Sequence, residues 1–197
     1  MLIYRYNINN LSCSDADEWF RSMSAERQAE VMRLVSNKKR MAKIAADRIC
    51  RNAISGFCGI VPEEIVFTKN SFGKPFAENL PVHFSISHSG DMVVCAVSDK
   101  EIGIDIEKIK PYNLRAAEKF AAPSELDYIS SCENGFFEIW TLKEAYFKCI
   151  GTGLGADIKN VSFEVNPSGI ICSENGFELS FQSQESGYIC SVCQRIT

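Results

Sequence analysis

Glycines and phenylalanines recur along this chain at a nearly constant separation. Gly56 to Gly151 spans 95 positions, Phe67 to Phe163 spans 96, Gly73 to Gly169 spans 96 and Gly90 to Gly187 spans 97. One such match is expected by chance; four in order, drifting by two residues, point to a duplicated unit. The segments between the markers agree. "NKKRMAKIAADRICRNAISGFCG" is helical with a glycine stop, "EEIVFTK" is strand-like, "NSFGKP" is a turn, and "HFSISHSGDMVVCAVS" reads as two strands joined through Ser89 and Gly90. The second half repeats that order as "FEIWTLKEAYFKCIG", "KNVSFEV", "NPSG" and "FELSFQSQESGYICSVC". The expected fold class is α+β, with two similar lobes over residues 1–100 and 101–197. A ligand cleft is expected at their junction.

Composition limits the function. With 197 residues and 46% hydrophobic content, each lobe has enough material for a core. The longest unbroken apolar run is "MVVCAV", and the first residues alternate like a strand, so neither a membrane span nor a targeting segment is expected. Nine cysteines, an odd number without framework spacing, suit a reducing cytoplasm. Cys190 and Cys193 alone have CxxC spacing, and on a strand they face opposite ways, as small buried hydrophobes rather than zinc ligands. A net charge of −4, from 21 basic and 25 acidic residues, gives no attraction to nucleic acid. Locally, Arg33, Lys38, Lys39, Arg40, Lys43, Arg48 and Arg51 face the single acid Asp47. That run is either a solvated helix face or a surface for an anionic ligand or acidic partner.

The stretch "IGIDIEK" places Ile102, Ile104 and Ile106 on one face of a strand and Gly103, Asp105 and Glu107 on the other. By itself this is also the pattern of an ordinary edge strand. In "FEIWTLKEAYFKCIG", Ile139, Trp140, Tyr146, Phe147 and Ile150 form an apolar stripe, while Thr141, Glu144, Ala145 and Lys148 share another face. Glu144 and Lys148 alone would be a surface ion pair. If the Glu144 face meets the Asp105 and Glu107 face, however, the carboxylates repel by about 4 kcal/mol at ~4 Å separation and need a cation. An all-oxygen set favours magnesium, with manganese as a substitute, and magnesium in turn favours substrate phosphates. "SISHSG" offers Ser87, His88 and Ser89 at a turn where hydroxyls, imidazole and backbone N–H groups can hold phosphate. A nucleophilic serine activated by His88 is the rival for that stretch, although it lacks a G-x-S-x-G elbow. His83 is read as structural. "SFGKP" supplies a glycine, Lys74 and a turn-fixing Pro75.

The four blocks "FGKP", "FSISHSG", "IGIDIEK" and "WTLKEAYFK", in this order, resemble the 4′-phosphopantetheinyl transferases of the two-lobed surfactin type. The resemblance implies magnesium-dependent transfer of the phosphopantetheine arm of coenzyme A to a serine of an apo acyl, peptidyl or aryl carrier protein. Adenosine 3′,5′-bisphosphate is released. It further implies Asp105, Glu107 and Glu144 as metal ligands, and Glu144 and Lys148 as catalytic groups. Lys43, Lys74, Pro75, Ser87, His88, Asp105 and Lys148 are implied at coenzyme A. Where the family has basic residues for the 3′-phosphate, this chain has Lys43 in place of an arginine and Arg27 as counterpart of the earlier lysines. Lys38, Lys39 and Arg40 are further candidates there or against an acidic carrier, and Ser85 replaces the usual asparagine of the serine–histidine block. Two fused lobes lead to the expectation of a monomer. A coenzyme A- or nucleotide-binding module without chemistry and a serine hydrolase are the alternatives.

Overall fold

The computed structural model describes residues 1–182 and 186–196 of the chain. The first lobe runs β1 (Leu2–Asn7), α1 (Cys13–Ser22), α2 (Ala25–Met32), α3 (Asn37–Cys58), β2 (Phe67–Lys69), β3 (Pro75–Ala77), β4 (His83–Ser89) and β5 (Met92–Ser98). The second runs β6 (Ile102–Lys108), α4 (Pro123–Ser131), α5 (Gly135–Ile150), β7 (Phe163–Asn166), β8 (Gly169–Cys172), β9 (Phe177–Phe181) and β10 (Tyr188–Arg195).

The repeat is visible in strand pairing. The first sheet has the order β1-β5-β4 and the second β6-β10-β9, both antiparallel, and each lobe adds a small hairpin, β2-β3 or β7-β8. Three of the four markers fall at matching places. Phe67 and Phe163 open the small hairpins, Gly73 and Gly169 lie in their turns, and Gly90 and Gly187 turn the chain between the paired strands at φ 59 and 80. Gly56 does not match Gly151. It lies inside α3, which ends instead at Gly59, where φ of 70 provides the left-handed cap that Gly151, at φ 77, provides for α5.

Packing builds four layers. Small residues on α3, namely Ala42, Ala45, Ala46 and Ala53, let the helix lie close on Val93, Cys95 and Val97 of β5. Met92, Val94 and Ala96, on the other face of β5, meet Ile102, Ile104 and Ile106 of β6 with Cys190 and Val192 of β10. The two sheets thus share a core. The opposite face of β6 and β10 carries α5, with Cys193 among the residues packed there, so the two thiols of the CxxC segment do face opposite ways.

Although α5 reads as amphipathic, it is enclosed on nearly every side. Thr141 and Lys143 are fully buried and each has a partner. The Thr141 hydroxyl pairs with Ser191 at 2.7 Å, and Lys143 pairs with buried Glu125 of α4 at 2.8 Å. Glu125 also accepts from the backbone N–H groups of Ala122 and Phe163, which ties α4 and β7 to α5. Among the described residues no helix is long and apolar enough to cross a membrane.

Candidate active site at the lobe junction

Strands β4 and β6 run side by side across the junction, joined by serine side chains. Ser85 accepts from the Ile104 N–H at 3.1 Å, Ser87 donates to Asp105 Oδ1 at 2.6 Å, and Ser89 donates to Glu107 Oε2 at 2.6 Å. Alternation along β4 explains the set, because residues 85, 87 and 89 share one face. It also disposes of the nucleophile reading. His88 points the other way, and the hydroxyls of Ser87 and Ser89 donate to carboxylates rather than to an imidazole.

From the other side α5 brings Lys148, whose Nζ lies 2.6 Å from Asp105 Oδ1. This approach requires Gly103, where a Cβ would stand 1.9 Å from the Ala145 carbonyl oxygen. Asp105 is 3% exposed, and its second oxygen, Oδ2, is buried without a hydrogen-bond partner among the described residues. Glu144 lies one turn before Lys148, but no ion pair joins the two, since Lys148 engages Asp105. Burial lifts the Glu144 carboxyl to about 6; Lys148 opposes the rise, and Asp105 and Glu107 add to it. His88 opens to the surface, yet withheld solvent and the Lys148 charge lower its pKa, against the pull of Glu107 and Asp105.

Lys74 and Pro75 line a 240 Å³ cavity together with Phe72, Glu144, Phe147 and Lys148. The Lys74 ammonium is turned inward, donating to the carbonyls of Ile102 at 3.3 Å and Cys149 at 3.0 Å, and burial lowers its pKa. It fastens the turn to the end of α5, as does Asn70, which donates to the Gly151 carbonyl at 2.9 Å. A larger cavity of 680 Å³ shares Pro75, Phe84 and Ile86 with the first and extends between α2, α3 and the β2-β3 hairpin, past Arg27 and Lys69. Lys43 lies apart from the cleft wall, paired with Glu30 at 2.7 Å. Lys38 pairs with Asp91 at 2.6 Å, and Arg40 donates to the Leu34 carbonyl at 2.6 Å.

The structure therefore unites Asp105, Ser87 and Lys148 directly and sets Glu107, Glu144 and His88 within the same electrostatic field. Sequence reasoning did not single out Glu30 of α2 or Lys69 of β2, whose pairing across 39 positions leaves no local signal. Among the described residues no three His, Cys, Asp or Glu side chains are grouped closely enough to hold a metal ion by themselves. The buried, unpartnered Asp105 Oδ2 beside two further carboxylates still fits a hard cation of the kind held by one or two carboxylates plus substrate oxygens.

Comparison with known proteins identifies the family. Residues 101–193 match the model of the 4′-phosphopantetheinyl transferase superfamily, and residues 12–100 match that of the 4′-phosphopantetheinyl transferase N-terminal region. The chain is 35% identical over 181 residues to 4′-phosphopantetheinyl transferase gsp of Aneurinibacillus migulanus, covering 87% of this chain and 76% of the relative. It is 31% identical over 194 residues to a 4′-phosphopantetheinyl transferase of Bacillus subtilis, covering 93% and 87%. To 4′-phosphopantetheinyl transferase Sfp of Bacillus subtilis (strain 168) it is 28% identical over 205 residues, covering 98% and 92%. With matches of this extent across both lobes, the chain belongs to the 4′-phosphopantetheinyl transferase superfamily.

Proposed function

We propose that this protein transfers 4′-phosphopantetheine from coenzyme A to a serine hydroxyl of an apo carrier protein. The observation that carries the reading is buried Asp105, held by Ser87 and Lys148 beside Glu144, with one carboxylate oxygen left free. Among the described residues the hydroxyls of Ser87 and Ser89 are engaged by carboxylates, which suits direct transfer between two bound substrates.

In this reading the carrier serine oxygen forms a bond to the phosphorus that bears the pantetheine arm. The bond from that phosphorus to the bridging oxygen breaks, and adenosine 3′,5′-bisphosphate leaves with the electron pair. Glu144 takes the serine proton. A carboxyl lifted to about 6 is mostly ionised at neutral pH and more basic than an ordinary glutamate. Lys148, with 28% of its side chain exposed at the cleft, is placed to meet the diphosphate oxygens, and His88 adds a donor at the rim. Asp105, Glu107 and Glu144 would hold magnesium, or manganese in its place, which when bound supplies charge neutralisation at the diphosphate. Ser87 and Ser89 orient Asp105 and Glu107 rather than holding phosphate as the sequence suggests. Lys74 and Pro75 shape the wall. We place the protein in the cytoplasm, as a monomer divided into lobes at residues 1–100 and 101–197.

The test is incubation with coenzyme A, magnesium and a panel of apo carrier proteins, followed by the mass of each carrier. A phosphopantetheine adduct that disappears on chelation and with Asp105→Ala is expected. Coenzyme A binding without any adduct would instead favour a binding module.

A further inference from the structure

Beside the larger cavity, cations from three elements meet on one carboxylate. Glu30 of α2 accepts from Arg27 Nη1 at 2.9 Å and Lys43 Nζ of α3 at 2.7 Å on Oε2, and from Lys69 Nζ of β2 at 2.6 Å on Oε1. One negative charge faces three positive ones, so the cluster is left with a surplus of two. Asp47 does not remove it. That carboxylate touches Arg27 at 3.3 Å but is already matched by Arg51 at 2.9 Å. Arg27 and Lys69 line the 680 Å³ cavity, and Thr68, on the same wall, has a buried hydroxyl without a partner among the described residues. The larger cavity adjoins the cleft through the shared lining residues Pro75, Phe84 and Ile86.

Coenzyme A carries two anionic groups on its adenosine, the diphosphate at one end and a 3′-phosphate dianion on the ribose. If the diphosphate meets Lys148 in the smaller cavity, the adjoining larger one is the room available for the nucleoside. Arg27, Lys43 and Lys69 without a counter-anion would be the complement of a phosphate dianion. Glu30 is an anion of the chain itself, already engaged with all three cations.

We propose that Glu30 determines nucleotide specificity as an internal counter-anion. It engages in cis the Arg27, Lys43 and Lys69 cations that a ligand's 3′-phosphate would otherwise recruit. The protein consequently discriminates weakly between coenzyme A and 3′-dephospho-coenzyme A. This inference rests on the coenzyme A reading given above.

Calorimetric affinities for the two ligands, on the wild type, Glu30→Gln and the double variant Glu30→Gln/Lys69→Met, provide the test. The wild type is expected to separate the two ligands by less than about tenfold. Glu30→Gln should tighten coenzyme A by roughly tenfold and leave the dephospho form unchanged, and the gain should vanish at high salt and in the double variant. An equal change for both ligands, no change, or weaker coenzyme A binding by folded Glu30→Gln overturns the assignment. Transfer to apo carriers in the same preparations separates the two readings. Phosphate-dependent binding without transfer upholds the role of Glu30 and refutes the transferase. Transfer with binding that ignores the 3′-phosphate in every variant does the reverse.

Discussion

Hydrogen bonds from Lys43 and Lys69, with the charge of Arg27, hold the Glu30 carboxyl down to about 2, whereas burial raises Glu144 to about 6. The two shifts act on stability with opposite sign. Glu30 contributes stability that is present above the unfolded value near 4.5 and is lost as pH falls through about 2. For Glu144 the stability is complete below 4.5 and declines as pH rises through about 6, because ionising it costs more in the fold than in the open chain. In protein freed of divalent cations, Glu144→Gln should therefore melt higher than the wild type above pH ~6, with the difference closing below the unfolded carboxylate range near pH ~4.5. The same variant should transfer nothing when magnesium and carriers are supplied. Melting curves across pH check this, and a variant less stable at every pH would mean that Glu144 has a structural partner. The alternation of "IGIDIEK" was enough to place Asp105 on the face opposite Ile102, Ile104 and Ile106. Ser87 was harder to assign, since a hydroxyl bound to a carboxylate 18 positions away leaves no periodic trace. Lys74 was open to a phosphate or a carbonyl contact, and here its ammonium donates to two backbone carbonyls.

Between elements, the contact of α5 with β6 sets the site, and Gly103 permits it. The constraint is steric, since a Cβ would lie 1.9 Å from the Ala145 carbonyl oxygen and 2.4 Å from the Cys149 nitrogen, both backbone atoms of a packed helix. Backbone cannot swing aside as a side-chain end can. Gly103→Ala should cost about 3 kcal/mol or more, roughly 10 °C in melting temperature for a chain of this size, and should part Lys148 from Asp105. A melting temperature within a degree or two of wild type would show that α5 is not seated as described. At this scale the sequence was readable where chemistry is local: strand alternation, the Ser89-Gly90 turn and the existence of both long helices. It misled where long-range partners decide burial. Thr141, placed by periodicity off the apolar stripe, is buried against Ser191 50 positions on, and Lys143 is buried with Glu125 and two backbone carbonyls as partners. The glycine that closes the helical segment is Gly59, in the left-handed region, whereas Gly56, which spacing pairs with Gly151, lies inside α3.

Across the whole molecule, duplication explains why the junction is lined from both halves, with Ser85, Ser87 and Ser89 from the first and Asp105, Glu107, Glu144 and Lys148 from the second. Each unit is a sheet covered by a helix on one face, and a sheet with its other face bare must find a second sheet. Here Met92, Val94 and Ala96 of one lobe close over Ile102, Ile104, Ile106 and Val192 of the other. The junction that buries these side chains also sets Ser87 against Asp105, so the geometry of the candidate site and interlobe packing are one arrangement. A fully buried aliphatic side chain contributes about 1.5–3 kcal/mol, which makes the shared core worth on the order of 10 kcal/mol, comparable with the net stability of a typical domain. Neither half should then fold alone. Residues 1–100 and 101–197, produced separately, should bind a dye for exposed apolar surface and melt without a cooperative transition, whereas the intact chain should melt in one step. Mixing the halves should restore both the cooperative transition and transfer to a carrier protein, because the serine bridges Ser85 to Ile104, Ser87 to Asp105 and Ser89 to Glu107 all cross the cut. Calorimetry on each half decides the matter. A cooperative transition in either half alone would mean that its sheet is stable without the other, and that the lobes are free to open about the cleft rather than being held shut by a common core.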